Sequence, residues 1–150
     1  MAKLLAFLPC EKVLIDGETQ QVSLISVLGG VHVGVAPDSP IPIGAFTPMR
    51  WTVFTLWQTE TGDADSFEQM VSFLDEDGQC LSLVGPFSVA VTGPQSKTIN
   101  RFESFPIWRP GMCVLRLQRR EAGAEEWQTV LDHRIEVKHL PISPASESAA

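Results

Sequence analysis

The stretch Met112-Cys-Val-Leu-Arg-Leu-Gln-Arg119 decides the fold class. Cys113, Leu115 and Leu117 alternate with Arg116 and Gln118, the period of two that a half-buried β-strand needs. Arg134-Ile-Glu-Val-Lys138 repeats the pattern downstream. Outward from these two runs the chain is cut at short intervals by turn signals. These are Asp16-Gly17, Gly29-Gly30, the Pro37–Pro42 segment, Thr61-Gly-Asp63, Asp77-Gly78, Gly93-Pro94, Pro110-Gly111 and Ala122-Gly123. Glycine supplies positive φ, and proline fixes φ and removes a donor. Strands are expected near 3–8, 12–15, 22–35, 49–58, 67–74, 80–84, 87–91, 98–105, 112–119 and 127–138. Short strands at this spacing predict an all-β chain, a single antiparallel β-sandwich of about 7–9 strands, immunoglobulin-like in a loose sense. The sandwich is expected to span residues 1–140. Residues 141–150, small and polar, are expected to form a disordered tail.

Two segments set tests for this reading. Ser66-Phe-Glu-Gln69 fits a helical capping box, and Phe67, Met70, Val71 and Leu74 follow helical spacing. So short a helix is marginal alone, and the run enters the hairpin signal Asp75-Glu-Asp-Gly78, so a strand is expected. Met49–Gln58 is apolar on both faces, with Trp51, Val53 and Trp57 on one and Phe54 and Leu56 on the other. The expectation is that Phe54 and Leu56 face the core while Trp51 and Trp57 belong to a contact surface.

A chain of 150 residues with 44% hydrophobic content has the means to bury a core. Its net charge of −7 opposes unaided binding to nucleic acid. The local basic group Arg116, Arg119 and Arg120 reads as a solvated strand end. Cys10, Cys80 and Cys113 are odd in number and unclustered, so they read as core thiols in a reducing, cytoplasmic compartment rather than a disulfide framework. The opening run ending at Cys10 looks superficially like a lipoprotein signal. It is too short, and Pro9 stands where a small residue is needed. No segment approaches the ~20 apolar residues of a membrane span, so no membrane association is expected.

Leu4-Leu-Ala-Phe-Leu-Pro-Cys10-Glu-Lys-Val-Leu-Ile-Asp16, followed by Val22-Ser-Leu-Ile-Ser-Val-Leu28, resembles a family of small bacterial proteins of unknown function. Val71-Ser-Phe-Leu-Asp-Glu-Asp-Gly78 and the stretch from Pro110 to Val137 share the likeness. The resemblance covers residues 3–138. It implies a β-sandwich and no particular reaction.

Most of the residues able to carry chemistry read as structural. His133 and His139 on one strand stand about 20 Å apart, too far to share an ion, and His32 is remote in sequence. Asp75-Glu-Asp77-Gly78, with Asp63 and Asp65 nearby, lacks the later ligands of a calcium loop. Cys10 has Glu11 beside it, which opposes a thiolate. Glu125 and Glu126 fall in a turn, without a pocket to separate their pKa values. No catalytic residue, metal or cofactor is expected. The binding candidates are Trp51 and Trp57 on their strand, and Trp108 and Arg109 in the proline-framed loop Phe105-Pro-Ile-Trp-Arg-Pro-Gly111. The reading is a non-enzymatic binding or assembly module that meets a protein partner, or a second copy, through a sheet face or loops. The alternatives are a carbohydrate-binding module using Trp57 or Trp108, and an enzyme whose site is not visible in sequence.

Overall fold

The computed structural model describes residues 1–142 and is built of nine strands. They are β1 (Lys3–Ile15), β2 (Val22–Val27), β3 (Gly30–Val35), β4 (Phe46–Gln58), β5 (Ser66–Leu74), β6 (Cys80–Ala90), β7 (Gln95–Pro106), β8 (Gly111–Glu121) and β9 (Gln128–Pro141). One sheet runs β2-β1-β4-β7 and the other β3-β9-β8-β5-β6. The two stack as a sandwich over one core. Every pairing is antiparallel except β3 with β9, which is parallel.

That exception comes from Gly29-Gly30, a turn signal inside the expected strand 22–35. Leu28 N–H still donates to Pro9 O at 2.9 Å beside β1, while Gly29 O already accepts from Glu136 N–H at 3.1 Å beside β9. The expected single run 22–35 is therefore two strands, and the chain changes sheets between adjacent residues. Conversely, the expected pair 80–84 and 87–91 is one strand. Gly85 sits in a bulge of that strand, where three residues of β6 span two of β5: its φ is +104°, and a Cβ there would stand 2.8 Å from Gln69 O. Only glycine fits such a position without displacing backbone.

β5 is a strand, as the turn signal indicated. Phe67, Gln69, Val71 and Phe73 turn into the core, while Met70 and Leu74 stand on the other face. The helical spacing of its apolar residues was coincidental. Once a strand, β5 pairs with neighbours on both sides, satisfying backbone groups that a lone helix would leave at its ends.

β4 corrects the sequence reading. Trp51 and Trp57 are 1% exposed and lie in the core with Val53, whereas Phe54 and Leu56 point to the outer side of their sheet. The split into two faces holds, but the assignment of the faces was reversed. Arg50 and Gln58 share the parity of Phe54 and Leu56, so the opposite assignment would have drawn a guanidinium and an amide toward the core. Trp51 stacks on Phe102 with ring centroids 4.2 Å apart, and its Nε1–H donates to Ser104 O at 2.9 Å. Trp57 meets Phe67 edge-on at 5.0 Å. Large aromatic groups with satisfied N–H groups belong inside, where each contributes its full area.

Past the expected boundary at 140, Pro141 still pairs with Val35 and Ile142 N–H donates to Val35 O at 2.9 Å. The rest of the expected tail, residues 143–150, lies outside the described residues.

Candidate functional site

The four residues singled out for binding separate into two pairs. Trp51 and Trp57 are sealed in the core and present no surface. Trp57 also serves a buried polar network: its Nε1–H donates to Gln69 Oε1 at 2.8 Å, and Gln69 Nε2 donates to Thr98 Oγ1 at 3.1 Å. Gln69 is fully buried, and these bonds satisfy its amide. Arg119 lies at the same end of the core. It shares the parity of Cys113, Leu115 and Leu117, and it is 5% exposed rather than solvated. Its guanidinium sits over Phe67 at 4.9 Å and Trp57 at 5.6 Å, donates to Ala2 O at 2.6 Å, and pairs with Glu121. The aromatic faces and the carbonyl replace the water that the cation lost. Arg116 and Arg120, by contrast, stand on the outer face opposite Asp132 and Glu68.

Trp108 and Arg109 do come together with a second loop. Both are half-buried, and Arg109 lies 5.9 Å from the Trp108 ring. Arg109 Nη1 donates to Asp77 Oδ2 at 2.5 Å and stands 3.8 Å from Asp75 Oδ2. The Asp75-Gly78 turn is held by Asp75 Oδ1, which accepts from Asp77 N–H at 2.9 Å and Gln79 N–H at 2.8 Å. The acidic run is thus turn chemistry answered by Arg109. Gly111, at φ +137°, lets Glu76 Oε2 come within 2.7 Å of where a Cβ would be. The cavity between these loops is about 10 Å³, the size of one water, and Asp75 Oδ2 is without a hydrogen-bond partner beside it. Trp108 covers this space and does not form a flat exposed platform.

The thiols and histidines have local roles. Cys10 and Cys113 are buried, and burial pushes both thiols up; the carboxylates of Asp75 and Glu76 add to the rise at Cys113. At Cys10 desolvation, not Glu11, is the cause. Cys80 departs from the core expectation, because it is exposed on the edge strand β6. His133 Nε2 bonds to Leu28 O at 3.1 Å and His139 Nε2 to Ile107 O at 2.6 Å. Each imidazole ties a loop to β9.

The feature that sequence reasoning missed is on the outer face of β4. The register lays the cross-strand pairs Leu56–Lys97, Phe54–Ile99 and Thr52–Arg101 side by side across β4 and β7. The β1–β2 hairpin arches over this face. Asp16 Oδ1 fixes its tip by accepting from Thr19 N–H at 2.7 Å and Glu18 N–H at 2.9 Å, bonds that also hold the Asp16 carboxyl below its ordinary range. Lys97 Nζ then donates to Gln20 O at 3.0 Å, anchoring the tip to β7. Val13, Ile15, Val22 and Leu24 share the inner face of the hairpin, and Leu14 and Ile25 share its outer one. Beneath it lie two cavities of about 460 and 400 Å³. No local pattern announces this, since the bond that anchors the tip joins residues 77 positions apart.

No family model matches the chain, and no curated protein does. A solved structure described as the N-terminal domain of PorA is similar at 14% identity, over 89% of this chain and 97% of that chain, with a TM-score of 0.30. A likeness at that level carries no argument about function. Among the described residues no helix is long and apolar enough to cross a membrane.

Proposed function

We propose that this protein is a non-enzymatic binding or assembly module that receives an extended protein segment on its β1–β2 hairpin. One observation carries the reading. Leu14, Ile25 and Val27 are 40–50% exposed on a hairpin whose outer strand, β2, ends its sheet. A free edge offers unpaired N–H and C=O groups, and proteins usually blunt such edges with lysine or proline. Val22–Val27 contains neither. Strand addition would satisfy the backbone groups and cover the apolar side chains together. The three free thiols fit a reducing, cytoplasmic setting.

The first occupant to test is a second copy, because β2 is itself an extended apolar segment and two such edges can pair about a two-fold axis. Sedimentation across a wide concentration range should show mass rising for the wild type and staying monomeric for Ile25→Lys, with equal unfolding midpoints. A wild type that stays monomeric throughout, or an Ile25→Lys variant that associates as well, removes the second copy as the occupant. A sugar-binding reading keeps only Trp108, since Trp57 is inside the core.

A further inference from the structure

We infer that the space under the β1–β2 hairpin is a binding site for a small amphipathic monocarboxylate. The inference is independent of the edge of β2, because it concerns the opposite face of the hairpin.

The larger cavity, about 460 Å³, falls within the range of small-molecule pockets. Phe54 and Leu56 form its apolar floor, and Val22 and Leu24 its roof. Its polar lining comes from the hairpin tip, Thr19, Gln20 and Gln21, and from Gln95 and Lys97 on β7. Lys97 is exposed and, among the described residues, has no carboxylate partner. Its ammonium group has three N–H donors, and the bond to Gln20 O uses one. That bond also holds the group at the rim.

Charge sign extends the argument along the floor. The neighbouring cavity is lined by Lys12, Arg50 and Arg101 against Glu11 and Glu103, and Arg50 already pairs with Glu103 at 3.0 Å. With Lys97, the trough holds four cations and two carboxylates, the reverse of the chain as a whole. An anion is therefore drawn to this face. Its size follows from spacing. Lys97 and Arg101 are four residues apart on β7, about 13 Å along the strand, so they cannot clamp one head group. A single charged head at Lys97, with its apolar body between Phe54, Leu56, Val22 and Leu24, matches the arrangement.

Titration of the full chain with sodium decanoate, followed by calorimetry and amide chemical shifts, tests the inference. Decanoate should bind once per chain and shift amides of Val22–Leu24, Phe54–Leu56 and Lys97. Decanol, lacking the charge, should bind about tenfold more weakly or worse, as loss of a charge-assisted bond implies. Lys97→Gln should cost a similar factor, and Lys97→Arg should restore most of it. Lys97 is exposed, so neither variant endangers folding. Leu24→Asp should block the apolar end for both compounds. Absence of decanoate binding, equal affinity for decanol, or an unchanged affinity in Lys97→Gln would each overturn the site.

Discussion

The two faces of β4 carry similar apolar groups and are covered in different ways. On the inner side, Trp51, Val53 and Trp57 meet a whole five-stranded sheet and are left with almost no exposed surface. On the outer side, Phe54 and Leu56 meet a two-stranded hairpin held at its tip by one lysine bond, and cavities remain beneath it. Phe54 is only 4% exposed all the same. Low exposure therefore does not equate the two sites. The inner cover is rigid and close-packed, while the outer one has room to move or to admit a guest.

Substitution at both faces tests this contrast most severely. Trp57→Ala should cost about 3–5 kcal/mol, because it opens a sealed core and orphans Gln69. Phe54→Ala should cost about 1.5–3 kcal/mol, nearer a transfer value alone, since space already exists beside it. Denaturant unfolding of both variants decides the matter, and equal losses would erase the distinction between the covers.

A smaller effect sharpens the inner side. Gln69→Leu keeps most of the volume but leaves Trp57 Nε1–H without its acceptor and Thr98 without its donor. The expected loss is about 1–3 kcal/mol, read as a lowered unfolding midpoint with an unchanged slope. If the variant is as stable as wild type, the network is not what seats Trp57.

The smallest effect is on the outer face of the other sheet, where no apolar cover exists. The Arg116 guanidinium holds the Asp132 carboxyl below its ordinary 3.8. A carboxylate depressed in the folded state contributes stability that is present above the unfolded pKa and lost as pH falls through the folded one. Both side chains are over a third exposed, so solvent screening limits the contribution to under about 1 kcal/mol. Below about pH 4, wild type should lose that increment, and Arg116→Ala should show a correspondingly flatter acid limb. Matching acid limbs would mean the pair contributes nothing.

Much of the architecture was legible because period-two alternation and turn residues are local properties. β8 was evident from Cys113, Leu115 and Leu117, and β5 from the Asp77-Gly78 turn that follows it. Parity was also legible, though not fully used: extending the β8 alternation by one step places Arg119 with the core residues. Extending the β4 pattern to Arg50 and Gln58 places Phe54 outside.

By itself the sequence determined that the chain is built of strands, the split of β4 into two faces, and the Asp16 and Asp75 turns, since each depends on residues within a few positions. The tertiary structure alone decided the rest. It set which sheet each strand joins, the change of sheets at Gly29-Gly30, and the parallel pairing of β3 with β9. It sealed Arg119 under Trp57 and Phe67, and it folded the hairpin over Phe54 and Lys97. Those outcomes depend on which distant surfaces meet, and the meeting is settled by burial and closure of the whole chain rather than by any short pattern.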